Sequence, residues 1–176
     1  MDASTGEIIY VNGDATQPID IPGQGKQAKI IVHICNDINA WGRGFVLSLS
    51  KRWPTISQVY HTNNQTLGTN QPLIIVNEDT CVCNMIAQHG IRSKFTNNDE
   101  IPPIRYEAVR SCLSLLVEYI KKSKRDGEWF SKFDTVVAHM PRIGCGLAGG
   151  QWAEIEKIIN ETLVANRFKV VIYTLK

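Results

Sequence analysis

The sequence predicts an α/β protein, a three-layer α/β/α sandwich on a mixed, mostly parallel sheet. Short apolar runs of strand length alternate along the chain with segments whose apolar residues recur every three or four positions. The run at residues 29–35, K-I-I-V-H-I-C, is apolar almost throughout, as a strand covered on both faces requires. The closing run at 169–175, K-V-V-I-Y-T-L, follows a helical stretch, so the alternation holds to the end.

Taken in order, residues 7–11 form the first expected strand, and residues 18–25 are a Pro/Gly loop leading to the strand at 29–35. A helix is expected over 44–53 with Phe45, Val46, Leu49 and Trp53 on one side, ended or bent by Pro54. Strands follow near 72–76 and 81–87. Pro102-Pro103 introduces the clearest helix, in which Val109, Cys112, Leu113, Leu116, Val117 and Ile120 form one apolar stripe. Residues 134–140 read as a strand, and Trp152, Ile155, Ile159 and Leu163 mark the last long helix. The polar segment 95–101, F-T-N-N-D-E-I, is expected as a mobile loop. No internal repeat is present, and one domain is expected over residues 1–176.

Composition narrows the classes of function. The net charge is +2, and the one dense basic run, Lys121-Lys122-Ser123-Lys124-Arg125, falls where a helix ends and complements its dipole. That is no strong signal for nucleic acid, which would call for a basic stripe. No apolar run approaches the roughly 20 residues of a membrane span. Five cysteines, an odd number, argue against a disulfide framework and for buried free thiols in a reducing, cytoplasmic setting. Cys81 and Cys83 share one face of a strand but lack the other half of a metal ligand set, so no metal and no cofactor are expected.

Gly144-Cys145-Gly146-Leu147-Ala148-Gly149 reads G-x-G-x-x-G between a strand and a helix. A dinucleotide fingerprint belongs to the first strand–helix turn, with an acid about 20 residues later. Here the run lies near the C-terminus, and the next strand ends in Y-T-L-K without an acid. Four glycines among residues 144–150 still make sense where backbone N–H groups must approach an anion at a helix N-terminus. A second such turn, from Asn36 and Asp37 through Trp41-Gly42-Arg43-Gly44-Phe45, again joins a buried strand to a helix. Asn36 and Asp37 suit sugar hydroxyls, or serve only to shape the turn. Two such loops at strand carboxyl ends would wall one cleft for a nucleotide-like ligand with a diphosphate.

Four pieces in this order, G-D-A-T at 13–16, I-V-H-I-C-N-D at 31–37, W-G-R-G-F at 41–45 and M-P-R-I-G-C-G-L at 140–147, resemble a macro domain, the ADP-ribose-binding fold. They look closest to the branch containing ADP-ribose-1''-phosphate phosphatase and the terminal ADP-ribose–protein glycohydrolase. The resemblance implies ADP-ribose, or ADP-ribose 1''-phosphate, as ligand, with ADP-ribosylated macromolecules as a further class of partner. It implies that Asp14, beside Ala15, accepts from the adenine amino group and that Asn36 holds the distal ribose. Trp41, Gly42, Gly44 and Phe45 would belong to the loop passing that ribose and the phosphates. Ile143, Gly144, Cys145, Gly146 and Leu147 would cradle the diphosphate.

The same resemblance separates possible activities. The glycohydrolase uses a lysine where this chain reads Ile86-Ala87-Gln88-His89, and an aspartate where it has Ala148. Another hydrolase branch uses an aspartate after its glycine loop, where this chain reads Phe45-Val46-Leu47. The favoured expectation is hydrolysis of ADP-ribose 1''-phosphate to ADP-ribose and phosphate. His33, Asp37 and His89 are the proton-handling candidates, although His33 could equally be a core histidine. The alternatives are removal of ADP-ribose from protein or nucleic acid, and a reader without catalysis.

Overall fold

The computed structural model describes residues 5–91 and 101–175. In chain order its elements are β1 (Glu7–Asn12), β2 (Gln27–Asn36), α1 (Phe45–Arg52), α2 (Thr55–Thr62), β3 (Thr69–Asn70), β4 (Ile74–Ile75) and β5 (Thr80–Gln88). They continue with α3 (Tyr106–Arg125), β6 (Thr135–Pro141), α4 (Trp152–Thr162) and β7 (Lys169–Thr174), and short 3-10 turns sit at Trp129–Lys132 and Val164–Asn166. The segment expected as a loop at 95–101 lies outside the described residues except for Ile101.

The sheet runs β1-β7-β6-β2-β5-β3, with β4 also on β5. Every pairing from β1 to β5 is parallel, and only β3 and β4 are antiparallel to β5. The expected mixed, mostly parallel sheet is therefore present. Strand alternation distributes the core between its two faces. Ala28, Ile30 and Val32 of β2 join Val109, Leu113 and Leu116 of α3 and Ile155 and Ile159 of α4 in one large cluster. Ile31, facing the other way, packs with Leu49 of α1, Ile56 of α2 and Val82 of β5. Three layers result.

The helix expected over 44–53 does end before Pro54, α1 stopping at Arg52, but a second helix that was not expected, α2, starts at the next residue, because a proline's fixed φ and missing N–H suit the entry to a helix. One expectation needs correction. The strand expected near 72–76 shrinks to the two residues of β4. Gln71 still donates its N–H to the Asn84 carbonyl at 3.0 Å, but Pro72 has no N–H to continue the ladder, and pairing resumes only at Ile74↔Val82. Among the described residues no helix is long and apolar enough to cross a membrane.

Candidate functional site

The carboxyl ends of β2 and β5 and the loop after β6 converge on a cleft of about 330 Å³. Asn36, Trp41, Gly42 and Arg43 line it from the first glycine turn, Gln88 and Ile91 from the end of β5, and Leu147 from the second glycine turn. The two loops thus wall one cavity at strand carboxyl ends, where open parallel sheets bind ligands.

The turn after β2 is built around Asn36. Its Oδ1 accepts from the N–H groups of Ile38 (3.0 Å) and Ala40 (3.1 Å), and its Nδ2 donates to the Ala40 carbonyl at 2.6 Å. From beneath, the Tyr60 hydroxyl reaches the Asn36 carbonyl (2.8 Å) and Oδ1 (2.7 Å). Asn36 therefore shapes the turn, and one Nδ2 proton remains for a ligand. Trp41 is held by its indole N–H on Ser50 Oγ (3.1 Å) and by its ring against Tyr60, with centroids 5.1 Å apart. Phe45 does not line the cleft; it packs toward His33, Val137 and Ile31.

The second loop closes on itself. Gly150 N–H donates to the Gly144 carbonyl (2.6 Å) and Gly149 N–H to that of Gly146 (3.0 Å). Gly144 stands at φ +73°, the left-handed region that favours glycine. Ile143 is buried in the main core and Cys145 packs against it, anchoring one side of the loop. The N–H groups of Gly144, Gly146 and Leu147 donate to no acceptor among the described residues. Such uncommitted amides can bind an anion. Ala148 is buried and its carbonyl accepts from Ile104 N–H at 3.1 Å, tying the loop to the start of α3.

Asp37 and His89 each follow a cleft-lining residue, Asn36 and Gln88, without lining the cleft themselves, and they pair with each other. His89 Nδ1 donates to Asp37 Oδ2 at 2.7 Å, and Gly90 N–H donates to Asp37 Oδ1 at 2.8 Å. Partial burial pushes the Asp37 carboxyl up, but the Gly90 amide and the His89 side chain outweigh it and hold the group below its ordinary value. Asp37 thus stays ionised and fixes the imidazole through Nδ1, with no partner for Nε2 among the described residues. The His89 side chain is 62% exposed.

His33 is placed elsewhere. It is 2% exposed and does not line the cleft. Its Nε2 donates to Asn84 Oδ1 (2.5 Å), Asn84 Nδ2 to Gln71 Oε1 (3.0 Å), and Gln71 Nε2 to the Tyr60 carbonyl (2.9 Å). Burial drives its pKa down to about 4, with the Asn84 bond opposing. A neutral imidazole without access to the cavity has no route to a substrate proton, which corrects the expectation of direct catalysis at this position. His139 is likewise a core residue, with Nδ1 2.8 Å from the Tyr173 hydroxyl.

Asp14 and Ala15 follow β1, three strands from β2, and so about 14 Å away at about 4.8 Å per strand. Asp14 Oδ1 accepts from the Thr16 N–H (2.9 Å) and hydroxyl (2.8 Å), leaving Oδ2 uncommitted among the described residues. The Ala15 methyl is buried among Val137, Val171 and Tyr173, so only its backbone can meet a ligand. That separation suits an elongated ligand anchored at both ends. Sequence reading passed over Arg43, Gln88 and Tyr60 as parts of the site. A polar residue ending a buried strand was the available signal for Gln88, whereas Tyr60 lies on the helix that Pro54 concealed.

An open, mostly parallel α/β sheet with a cleft at its strand carboxyl ends, walled by two glycine turns, defines the class of domain. Comparison with known proteins gives it a family. No family model matches the chain. A Bacteroides thetaiotaomicron protein of unknown function is 42% identical with a TM-score of 0.79, the match covering 96% of this chain and 98% of that one. A macrodomain protein from Streptomyces coelicolor is 34% identical with a TM-score of 0.71, covering 96% and 99%. Among curated proteins, the ADP-ribose 1''-phosphate phosphatase of Candida albicans is 28% identical over 159 residues, 88% of this chain and 92% of the relative. The chain belongs to the macrodomain family.

Proposed function

We propose that this macrodomain binds ADP-ribose derivatives in the cleft and hydrolyses ADP-ribose 1''-phosphate to ADP-ribose and inorganic phosphate. The observation that carries the reading is a cleft walled by two glycine loops, with the Asp37–His89 pair next in sequence to its lining residues Asn36 and Gln88. The similarity to the Candida albicans phosphatase supports the same substrate. In this reading Asp14 Oδ2 accepts from adenine, the free Nδ2 proton of Asn36 meets the distal ribose, and the amides of Gly144, Gly146 and Leu147 hold the diphosphate.

The chemistry follows from the dyad. His89 Nε2 removes a proton from water as the water oxygen bonds to phosphorus and the bond from phosphorus to the anomeric oxygen breaks. That oxygen takes a proton from solvent, and His89 later returns its own to solvent. Asp37 holds the imidazole in the tautomer with Nε2 unprotonated and offsets the charge that forms on it. A reducing, cytoplasmic setting suits the five free thiols, four of them buried; burial pushes Cys112, for example, up to about 12.

Calorimetry with ADP-ribose followed by a phosphate-release assay on ADP-ribose 1''-phosphate tests the reading. Binding heat, phosphate release, and a fall of about 100-fold or more in kcat for His89→Gln are expected, the range of a lost general base. Binding without phosphate release would instead identify a reader. Release of ADP-ribose from modified protein or nucleic acid would identify a glycohydrolase, against which stand the absent lysine at 86–89 and the buried Ala148.

A further inference from the structure

Arg43 is the one charged side chain among the described residues that line the cleft. The remaining lining is apolar, as at Ile34, Val46, Ile91 and Leu147, or neutral amide, as at Asn36 and Gln88. Three other arginines among the described residues are committed. Arg105 donates to three backbone carbonyls, Arg110 pairs with Glu161 at 2.7 Å, and Arg142 lies over the rings of Tyr10 and Trp152. Arg43 has no hydrogen bond, ion pair or ring contact among the described residues. The nearest acid in its own loop, Asp37, is already engaged by His89 and Gly90.

The residues on either side of Arg43 leave it open to a ligand. A Cβ at Gly42 would meet no atom within 4 Å, so neither packing nor a positive φ requires that glycine, whereas Gly44 stands at φ +77°, which favours glycine by itself. The diphosphate has its own donors in the loop of Gly144, Gly146 and Leu147. Arg43 adds charge across the cleft, on the wall that carries Asn36, the residue before Asp37. A guanidinium matches the oxygens of a phosphomonoester dianion two at a time.

We propose that Arg43 anchors a phosphomonoester at the far end of the ligand and so makes the cleft prefer ADP-ribose 1''-phosphate over ADP-ribose itself. This rests on the functional reading above and adds the group that would distinguish substrate from product. A site that held both equally would stay occupied by its product; Arg43 supplies a difference that hydrolysis removes.

The test is calorimetry with ADP-ribose and ADP-ribose 1''-phosphate on protein carrying His89→Gln, so that turnover does not consume the ligand. The same background carries Arg43, Arg43→Lys or Arg43→Ala. With Arg43 present, the phosphorylated ligand should bind about tenfold tighter, as one charge-assisted contact provides. Arg43→Ala should abolish that ratio while the Kd for ADP-ribose moves less than about threefold, and Arg43→Lys should keep part of it. Equal affinity for both ligands in the parent overturns the proposal. So does an equal loss for both in Arg43→Ala, which would assign the side chain to the diphosphate, or no change in either. Binding of neither ligand overturns the functional reading together with this one, and is thereby distinguished from the failures confined to Arg43.

Discussion

A methyl group on Gly150 would lie 2.5 Å from the Gly144 carbonyl oxygen, the atom that accepts the Gly150 N–H. Backbone cannot swing aside as a side-chain end can, so Gly150→Ala must open the loop. The expected result is a loss of about tenfold or more in ADP-ribose affinity, with about 1–3 kcal/mol of stability, the usual cost of forced local strain. Unchanged binding by calorimetry would show that the closed loop is not what holds the diphosphate. At this scale the sequence was informative about glycines and less so about histidines. A cluster of four glycines has few physical uses, and the structure gives it a compact closed turn. His33, in contrast, shares its strand face with Ile31 and Cys35, and only the position of Asn84 on the neighbouring strand reveals that it serves a buried network. Pairing across strands is not written in local sequence.

Among the elements, α2 connects that network to the cleft. It is short, eight residues, and its apolar face consists chiefly of Ile56 and Tyr60, too little periodicity to stand out beside Pro54. The long elements were legible for the opposite reason. All six stripe residues of α3 are buried, and the nearly unbroken apolar runs are the central strands β2 and β5. The edge strands β3 and β4 have two residues each and carry no period of their own. Tyr60 gives α2 a place in the site through its hydroxyl on Asn36, while its ring supports Trp41. Tyr60→Phe keeps the ring and removes the hydroxyl, which should cost about 1–2 kcal/mol of stability, the range for a buried hydrogen bond. The same variant should weaken ADP-ribose binding about three- to tenfold, since the Asn36 amide then keeps only its bonds to Ile38 and Ala40 and loses its support from beneath. A shift in the denaturation midpoint without any change in Kd would show that the bond supports the fold and does not position Asn36.

For the molecule as a whole, two fully buried imidazoles determine how stability responds to mild acid. Burial lowers His33 to about 4, and lowers His139 to about 3 with the Lys29 charge adding to the effect. In the unfolded chain both return to an ordinary value near 6.5. Between about pH 6.5 and pH 4 the unfolded state therefore binds protons that the folded state does not, so stability rises with pH across this window. The contribution is fully present above the unfolded value and is lost as pH falls toward the folded ones. Asp37 and Asp79, both held below their ordinary value against the opposing effect of burial, act only further down. Their contributions remain until pH drops below the unfolded carboxylate value near 3.9. The mild-acid window thus isolates the histidines. Urea unfolding should lose about 5 kcal/mol between pH 7 and pH 4.5, about 1.4 per pH unit below the unfolded value for each imidazole that protonates only on unfolding. His33→Gln, which retains a donor for Asn84, and His139→Gln should each remove roughly half of that slope. A flat profile in the parent protein, or a slope that survives both substitutions, would place the acid sensitivity in other groups and return His33 to solvent contact.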